Sequence, residues 1–170
     1  LVFNPVQAAI VFPLAMYVRN NIAQAFKVPT STMEPALIQG DAIIVDKALY
    51  RKQQPERGDV AVFISTNDPG KDFIKRIVGL PNETVEIKQG KVLINGVPPT
   101  EPSVFSQIRY LNRGEHGAEG QVVIVPKDSY YVLGDNSLKS MDSRDFGFVP
   151  RAKLVGKAYK IYWPLNRSGP

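Results

Sequence analysis

The N-terminal part of the chain carries a long apolar stretch. Residues 6–18 are apolar apart from Gln7, and apolar side chains continue beyond Arg19 to Phe26. This pattern predicts a helix over residues 1–26. As a helix, residues 6–18 would extend only about 20 Å, less than the ~30 Å hydrocarbon core of a bilayer. We therefore expect a helix that associates with a membrane or is anchored in one, with a soluble helix buried against the rest of the chain as the alternative.

After residue 27 the pattern changes to short apolar stretches separated by turn-forming residues. Runs that alternate or are rich in β-branched residues predict strands. They lie at residues 42–45, 60–64, 73–78, 84–87, 91–94, 121–125, 130–133 and 154–162. The Lys-Gln-Gly sequence at residues 88–90 predicts a hairpin turn. Residues 97–120, rich in Pro, Gly, Ser and charge, predict an excursion from the core with one short strand near residues 108–111.

These elements together predict a mainly β fold. We expect a compact antiparallel β body over residues 27–170, with a small inserted β lobe and an N-terminal apolar helix. A chain of 170 residues is about the size of one domain and is long enough to bury a core.

Composition excludes several kinds of chemistry. The chain has no cysteine, which excludes disulfides, a thiolate nucleophile and a cysteine metal site. Its single histidine, His116, lies in a polar Gly-rich stretch, which favours a solvated loop residue over a member of a Ser-His-Asp triad. The net charge of +5 is spread without a basic run, so we expect no nucleic-acid partner. No ligand cluster is evident, and we expect neither a metal nor an organic cofactor.

The first candidate for chemistry is a hydroxyl-rich segment. Thr30, Ser31 and Thr32 stand together between Pro29 and Pro35. Proline restricts the backbone, and a fixed backbone is what both a nucleophile and an oxyanion site require. By itself, such a stretch is more often an ordinary turn. The assignment therefore depends on the rest of the chain.

The second candidate is a lysine in a predicted strand. Within residues 73–78, alternation places Lys75 on the same face as Phe73 and Ile77. Burial among apolar side chains penalises the ammonium form, so we expect a lowered pKa and a neutral Lys75 amine that accepts a proton near neutral pH. The alternative is a strand lysine whose stem packs while its head reaches water.

In their order along the chain, these segments resemble the sequence blocks of the type I signal peptidases. The Thr-Met-Glu-Pro sequence at residues 32–35 is similar to the family's nucleophile motif, and the Lys-Arg pair at residues 75–76 is similar to its general-base block. The sequence Gly-Asp-Asn followed by Ser-Met-Asp-Ser-Arg, within residues 134–144, resembles a third block. The matching blocks extend from about residue 19 to about residue 163, and only residues 97–120 lie outside them.

The resemblance implies a serine-type endopeptidase with a lysine general base. It places the nucleophile at Thr32 and the general base at Lys75. The Thr32 backbone N–H and the Thr30 hydroxyl become the oxyanion donors, and Ser140 becomes the residue that orients the Lys75 amine. A lysine without such an acceptor would sample many rotamers, and proton transfer would lose its geometry.

The family pattern also implies supporting and substrate-binding residues. Asp142 and Arg144 are expected to form a salt bridge beside the site. A substrate is expected to lie extended along the Thr30 segment and the strand of Lys75, as an added strand would. Shallow apolar pockets are expected to select small side chains at the first and third positions before the cut, and their candidate lining residues are Met33, Phe73 and Ile74.

One position departs from the family pattern, because Thr32 stands where the family has serine. The additional methyl group restricts χ1 and crowds the path of an incoming carbonyl, although a threonine hydroxyl is a competent nucleophile in principle. The sequence leaves three accounts open: a slow or specialised threonine enzyme, an inactive relative that binds leader or pilin segments, and an engineered Ser→Thr chain.

The resemblance further implies partners and a location. The partners would be signal peptides of exported preproteins and a membrane lipid surface, while the oligomeric state stays open. The location would be the plasma membrane of a bacterium, or an equivalent organelle membrane, with the catalytic domain at residues 27–170 on the extracytoplasmic side.

Repressor-type self-cleaving proteases also use a Ser–Lys dyad on a related β fold. They would need an upstream DNA-binding or self-cleaved segment, where this chain has an apolar helix.

Overall fold

A computed structural model describes residues 4–170, and strands dominate it. The helices of the described chain are α1 (Pro5–Asn21), α2 (Leu49–Lys52), α3 (Val104–Gln107) and α4 (Ser143–Phe146). The strands are β1 (Ala23–Lys27), β2 (Ala42–Asp46), β3 (Val60–Ile64), β4 (Asp72–Gly79), β5 (Thr84–Lys88), β6 (Lys91–Ile94), β7 (Val122–Ile124), β8 (Ser129–Leu133), β9 (Val149–Pro150) and β10 (Leu154–Trp163). Two 3₁₀ turns occupy Arg151–Lys153 and Leu165–Arg167.

The strands form two antiparallel sheets. The larger sheet has seven strands in the order β1-β2-β10-β3-β4-β8-β9. The smaller sheet has the order β6-β5-β7, and its strands lie before and after the predicted excursion at residues 97–120. The prediction of a mainly β, antiparallel fold with an N-terminal helix is confirmed.

The sequence pattern located most strands to within one residue at each end. β3 and β6 have the predicted bounds, and β10 is one residue longer than predicted. The hairpin turn also forms, because Lys88 pairs with Lys91 around Gln89 and Gly90. Both turn residues have positive φ, at 51° and 81°, as a tight two-residue hairpin requires.

Two predicted elements differ from the structure. Helix α1 ends at Asn21, and the residues after it form β1, which pairs with β2 from Ala23 to Lys27. The helix predicted over residues 1–26 therefore ends at Asn21, because strand pairing overrides the apolar run, and residues 1–3 of that prediction lie outside the described residues. The strand expected near residues 108–111 is wrong: these residues form no strand, and the short helix α3 lies just before them.

Strand β4 separates two regions of the core. Ile74, on one face, belongs to a cluster with Met33 of the hydroxyl-rich segment and with Val28 and Leu37, which flank that segment. Ile77, on the other face, belongs to a cluster with β3 and β8. Since β4 contacts both clusters, its side chains are held firmly at the point where the hydroxyl-rich segment meets the sheet.

Helix α1 projects from this body. Its described side chains from Gln7 to Asn20 are exposed, and they include Ile10, Phe12 and Leu14. The contacts that hold it lie at its C-terminal end, where the Lys47 ammonium donates to the carbonyl of Arg19 at 3.3 Å. Within residues 4–170, no helix is both long and apolar enough to cross a membrane.

Candidate active site

The structure brings the two sequence candidates for nucleophile and base into contact. The Lys75 ammonium nitrogen lies 3.0 Å from the Thr32 hydroxyl, across 43 residues of sequence. Thr32 lies in the turn that follows β1, and Lys75 lies at the middle of β4. A hydroxyl within hydrogen-bond reach of an amine is the geometry that nucleophile activation needs.

Burial prepares Lys75 for this contact. Its side chain is 4% exposed, and its ammonium lies 5.5 Å from the centre of the Phe73 ring, on the face that strand alternation predicted. The pKa of Lys75 is lowered to about 8, mainly by desolvation, and the Arg144 guanidinium acts in the same direction. The Asp142 and Asp135 carboxylates act in the opposite direction. The neutral amine is thus accessible close to neutral pH.

Two donors lie beside the Thr32 hydroxyl. The Thr30 hydroxyl is 3.1 Å from it. The Thr32 backbone N–H donates to no acceptor in the described part of the chain. An unpaired N–H and a neighbouring hydroxyl are the kinds of group that stabilise a developing oxyanion.

A turn at residues 134–142, hereafter the catalytic turn, holds the Thr32 segment in place. The Asn136 backbone N–H donates to the carbonyl of Thr32 at 3.0 Å, and its side-chain amide donates to the carbonyl of Ser31 at 3.2 Å. Gly134 packs so closely that a Cβ atom there would lie 2.7 Å from the Thr32 carbonyl oxygen and would overlap Ser140. Only glycine fits this position without displacing the site.

Ser140 is fully buried within the catalytic turn. Among described residues its hydroxyl has no hydrogen-bond partner, so the geometry contains no bond from Ser140 to Lys75. The orienting role that the sequence gave it stays a prediction. A buried hydroxyl without a partner is costly, which makes this atom a natural acceptor for a nearby donor.

Asp142 and Arg144 form a salt bridge with both side chains fully buried. The guanidinium donates to both carboxylate oxygens, at 2.8 and 2.7 Å, and also to the Ser137 hydroxyl and the Leu111 carbonyl. Asp142 in addition caps α4 and accepts from the Gly134 N–H at 3.0 Å. The pair therefore fixes the start of the catalytic turn to its end.

A second buried ion pair was not predicted. Arg76 donates to both oxygens of Asp135, at 2.8 and 2.5 Å, and to the carbonyl of Gly58 at 2.7 Å. It joins β4, next to Lys75, to the catalytic turn. The sequence contained the signal, since Arg76 follows the proposed base and Asp135 lies in the third block, but nothing in the spacing showed that the two would pair.

A cavity of about 490 Å³ opens over the dyad. It contains the predicted substrate-lining residues Met33, Phe73 and Ile74 together with Thr30, Thr32 and Lys75. Six further lining residues were not predicted: Val28, Pro29, Lys71, Asp72, Lys139 and Met141.

One wall of this cavity is an open strand edge. β3 pairs with β4 along one edge over residues 72–76, whereas β8 pairs with the other edge only from Arg76 onward. Within residues 4–170, the second edge of residues 72–75 pairs with no strand. Unpaired backbone groups at such an edge can bind an extended peptide.

His116 contacts residues outside the dyad. Its ring packs against Phe148 at 5.7 Å, and its backbone bonds with Arg144 and Tyr131. None of these contacts joins it to Thr32 or Lys75. The described residues also contain no cluster of His, Asp and Glu able to hold a metal ion.

Comparison with known proteins assigns the family. The family model described as signal peptidase, peptidase S26, matches residues 4–163. The chain is 42% identical over 161 residues to a Synechocystis protein named "Probable signal peptidase I-2", covering 92% of this chain and 70% of that protein. It is 41% identical over 163 residues to the signal peptidase I of Leptolyngbya laminosa, covering 92% and 76%.

A solved signal peptidase I from Enterococcus faecalis is also similar, with 36% identity and a TM-score of 0.49 over 63% of this chain and 98% of that one. The site and the family match together define a protease, and this chain belongs to the signal peptidase, peptidase S26, family. Within it, the relatives named above place the chain with the serine-type endopeptidases of the signal peptidase I type.

Proposed function

We propose that this chain removes signal peptides from exported preproteins with Thr32 as nucleophile and Lys75 as general base. Signal peptidase I acts on the signal peptides of preproteins, and the family assignment extends that activity to this chain. The observation that carries the residue assignment is the 3.0 Å contact between the Lys75 amine and the Thr32 hydroxyl.

Acylation begins with a neutral Lys75. Its amine takes the Thr32 hydroxyl proton while the oxygen bonds to the scissile carbonyl carbon, and the carbonyl oxygen becomes an oxyanion. When this intermediate collapses, the C–N bond breaks and Lys75 returns the proton to the leaving amine. In the second half, Lys75 takes a proton from water, which attacks the ester, and Thr32 regains its hydroxyl.

The oxyanion is held by the Thr32 N–H and the Thr30 hydroxyl. Each such donor contributes on the order of 3 kcal/mol to transition-state stabilisation in acyl-transfer enzymes. In this scheme Ser140 fixes the Lys75 amine, while the Asp142–Arg144 pair holds the catalytic turn against the nucleophile. No step requires a metal or an organic cofactor.

The leader lies along the open edge of residues 72–75 as an added strand. Its main chain bonds to β4, and alternate side chains enter pockets lined by Met33, Phe73 and Ile74. The lining of the cavity is mainly apolar, which supports small apolar side chains at the selected positions.

Membrane attachment forms part of the proposal. Signal peptidase I proteins of bacteria are membrane-associated. In this chain the exposed apolar side chains of α1 support seating of the helix in a lipid surface, with the β body outside the cytoplasm. The same arrangement would serve an equivalent organelle membrane.

A cleavage assay on an Ala-x-Ala leader peptide tests the assignment. The chain is compared with Thr32→Ser, Thr32→Val and Lys75→Ala. We expect at least tenfold faster cleavage by Thr32→Ser, because the methyl group that crowds the nucleophile is removed, and no cleavage by the other two variants. Normal cleavage by Lys75→Ala, with folding intact by circular dichroism, would contradict the proposal.

One observation favours a second function. The Thr32 methyl group at the nucleophile position fits a relative that binds leader or pilin segments without cutting them efficiently. Binding of a labelled leader, measured by fluorescence anisotropy beside the cleavage assay, separates the two functions. Tight binding with no cleavage by the chain, and with cleavage restored in Thr32→Ser, would establish this second function.

A further inference from the structure

Lys139 is a free cation in the wall of the catalytic cavity. Its side chain is exposed, and it forms no salt bridge or side-chain hydrogen bond within residues 4–170. We propose that Lys139 is a specificity-determining residue that binds an acidic side chain among the first three residues after the cut. The inference rests on the proposed function and adds a preference on the mature side of the substrate.

The path of the substrate places its mature side over the catalytic turn. A leader strand on the open edge of β4 extends along residues 72–75 and reaches the dyad at Lys75. From Arg76 onward, β8 already occupies that edge, with Arg76 paired to Leu133. The residues after the cut therefore leave the sheet, and the segment beyond β8 that borders the cavity is the catalytic turn, which carries Lys139.

Nearby acidic groups do not neutralise Lys139. Both oxygens of Asp135 are bonded to Arg76, and both oxygens of Asp142 are bonded to Arg144. Glu34, which lines the adjoining cavity, forms no salt bridge with Lys139. These carboxylates leave the Lys139 ammonium available to a substrate carboxylate.

The cavity wall also carries an acidic residue, Asp72. Asp72 is three residues from Lys75, at the start of the open edge, next to a Lys71 that pairs with Asp68 at 2.8 Å. The groove is therefore asymmetric in charge, with a free cation on the mature side. The free cation on the mature side favours an acidic residue after the cut.

Matched peptides test this preference. The leader is kept constant, and Asp, Asn or Lys is placed at each of the first three positions after the cut. For one of these positions we expect kcat/KM with Asp to exceed that with Asn about three- to fivefold, the range of an exposed ion pair. Lys139→Gln is expected to bring the ratio of kcat/KM for Asp over Asn to about one. Lys139→Glu is expected to cleave the Lys peptide faster than the Asp peptide. Lys91→Gln, an equal charge change on the small sheet, is expected to keep the ratio.

A binding measurement tests the inference without depending on catalytic turnover. The same peptides, labelled, are titrated into the Lys75→Ala chain with and without Lys139→Gln, and the Asp preference should appear in the dissociation constants and weaken with salt. Equal affinities for Asp and Asn at all three positions, or a preference that survives Lys139→Gln, would overturn the inference. An Asp preference in binding, together with no cleavage by the chain that retains Lys75, would sink the proposed function and leave this inference standing.

Discussion

At the scale of single residues, the site depends on one lysine being kept from water. Lys75 is nearly buried beside Phe73, and its amine meets the Thr32 hydroxyl. In water this amine would be protonated at neutral pH and would have no lone pair for the Thr32 proton. Desolvation therefore gives lysine a neutral, proton-accepting form near neutral pH, which histidine in other hydrolases has because its ordinary pKa is lower.

This burial predicts the pH dependence of cleavage. The neutral form of Lys75 is the active one, and its pKa is lowered to about 8. The rate should therefore increase about tenfold per pH unit between pH 6 and 7.5 and level off above about pH 9. The measurement is kcat/KM from pH 6 to 10 on a peptide without groups that titrate in this range. A profile that is flat between pH 6 and 8, or that decreases, would refute a lysine base.

At the scale of elements, the catalytic turn matters as much as the strand that carries the base. It bonds to the Thr32 carbonyl through Asn136, to β4 through Asp135 and to α4 through Asp142. A turn held at three points positions a nucleophile better than a flexible loop, because proton transfer loses rate when the groups move apart.

Gly134→Ala tests how tightly this turn is packed. The new Cβ would lie 2.7 Å from the Thr32 carbonyl oxygen and would overlap the Ser140 side chain. We expect a loss of stability of about 1–3 kcal/mol by urea unfolding and a loss of leader cleavage. Gly169→Ala is the matched control, because a Cβ there meets no atom within 4 Å. Equal stability and activity of the two variants would show that the turn is looser than described.

The sequence predicted the elements that depend on local pattern. Alternation located the strands, and the motifs located Thr32 and Lys75, which the fold brings together. It missed β1, because the pairing of residues 23–27 with β2 outweighs their continuity with the apolar run. It also missed the Arg76–Asp135 pair and Lys139 in the cavity wall, since those contacts arise only when the catalytic turn folds onto β4.

At the scale of the whole molecule, helix α1 contacts the β body at its C-terminal end and projects away from it. The described side chains of α1 from Gln7 to Asn20 are exposed, whereas the body has its own clusters around β3, β4 and β8. The stability of the body should then depend little on α1. We expect α1 to determine where the protein is located and to contribute little to the folding of the body.

A chain that begins at Ile22 tests this division. We expect its free energy of unfolding to lie within about 0.5 kcal/mol of the full chain, because few contacts are removed. Leader peptide cleavage should persist, and binding to lipid vesicles, measured by sedimentation, should be lost. An unfolded truncated chain would contradict the independence of the body, and unchanged sedimentation would assign lipid binding to the body.

The length of the open edge of β4 has a consequence for how much of a leader is inspected. Four residues at a rise of about 3.3 Å give an edge about 13 Å long for pairing with a peptide. In an extended peptide paired with this edge, alternate side chains point toward the cavity wall. About two of four side chains therefore contact the wall, while their neighbours point away from it. The position where β8 begins to pair with β4 thus sets the end of the open edge, and it also sets how short the recognised part of a leader can be.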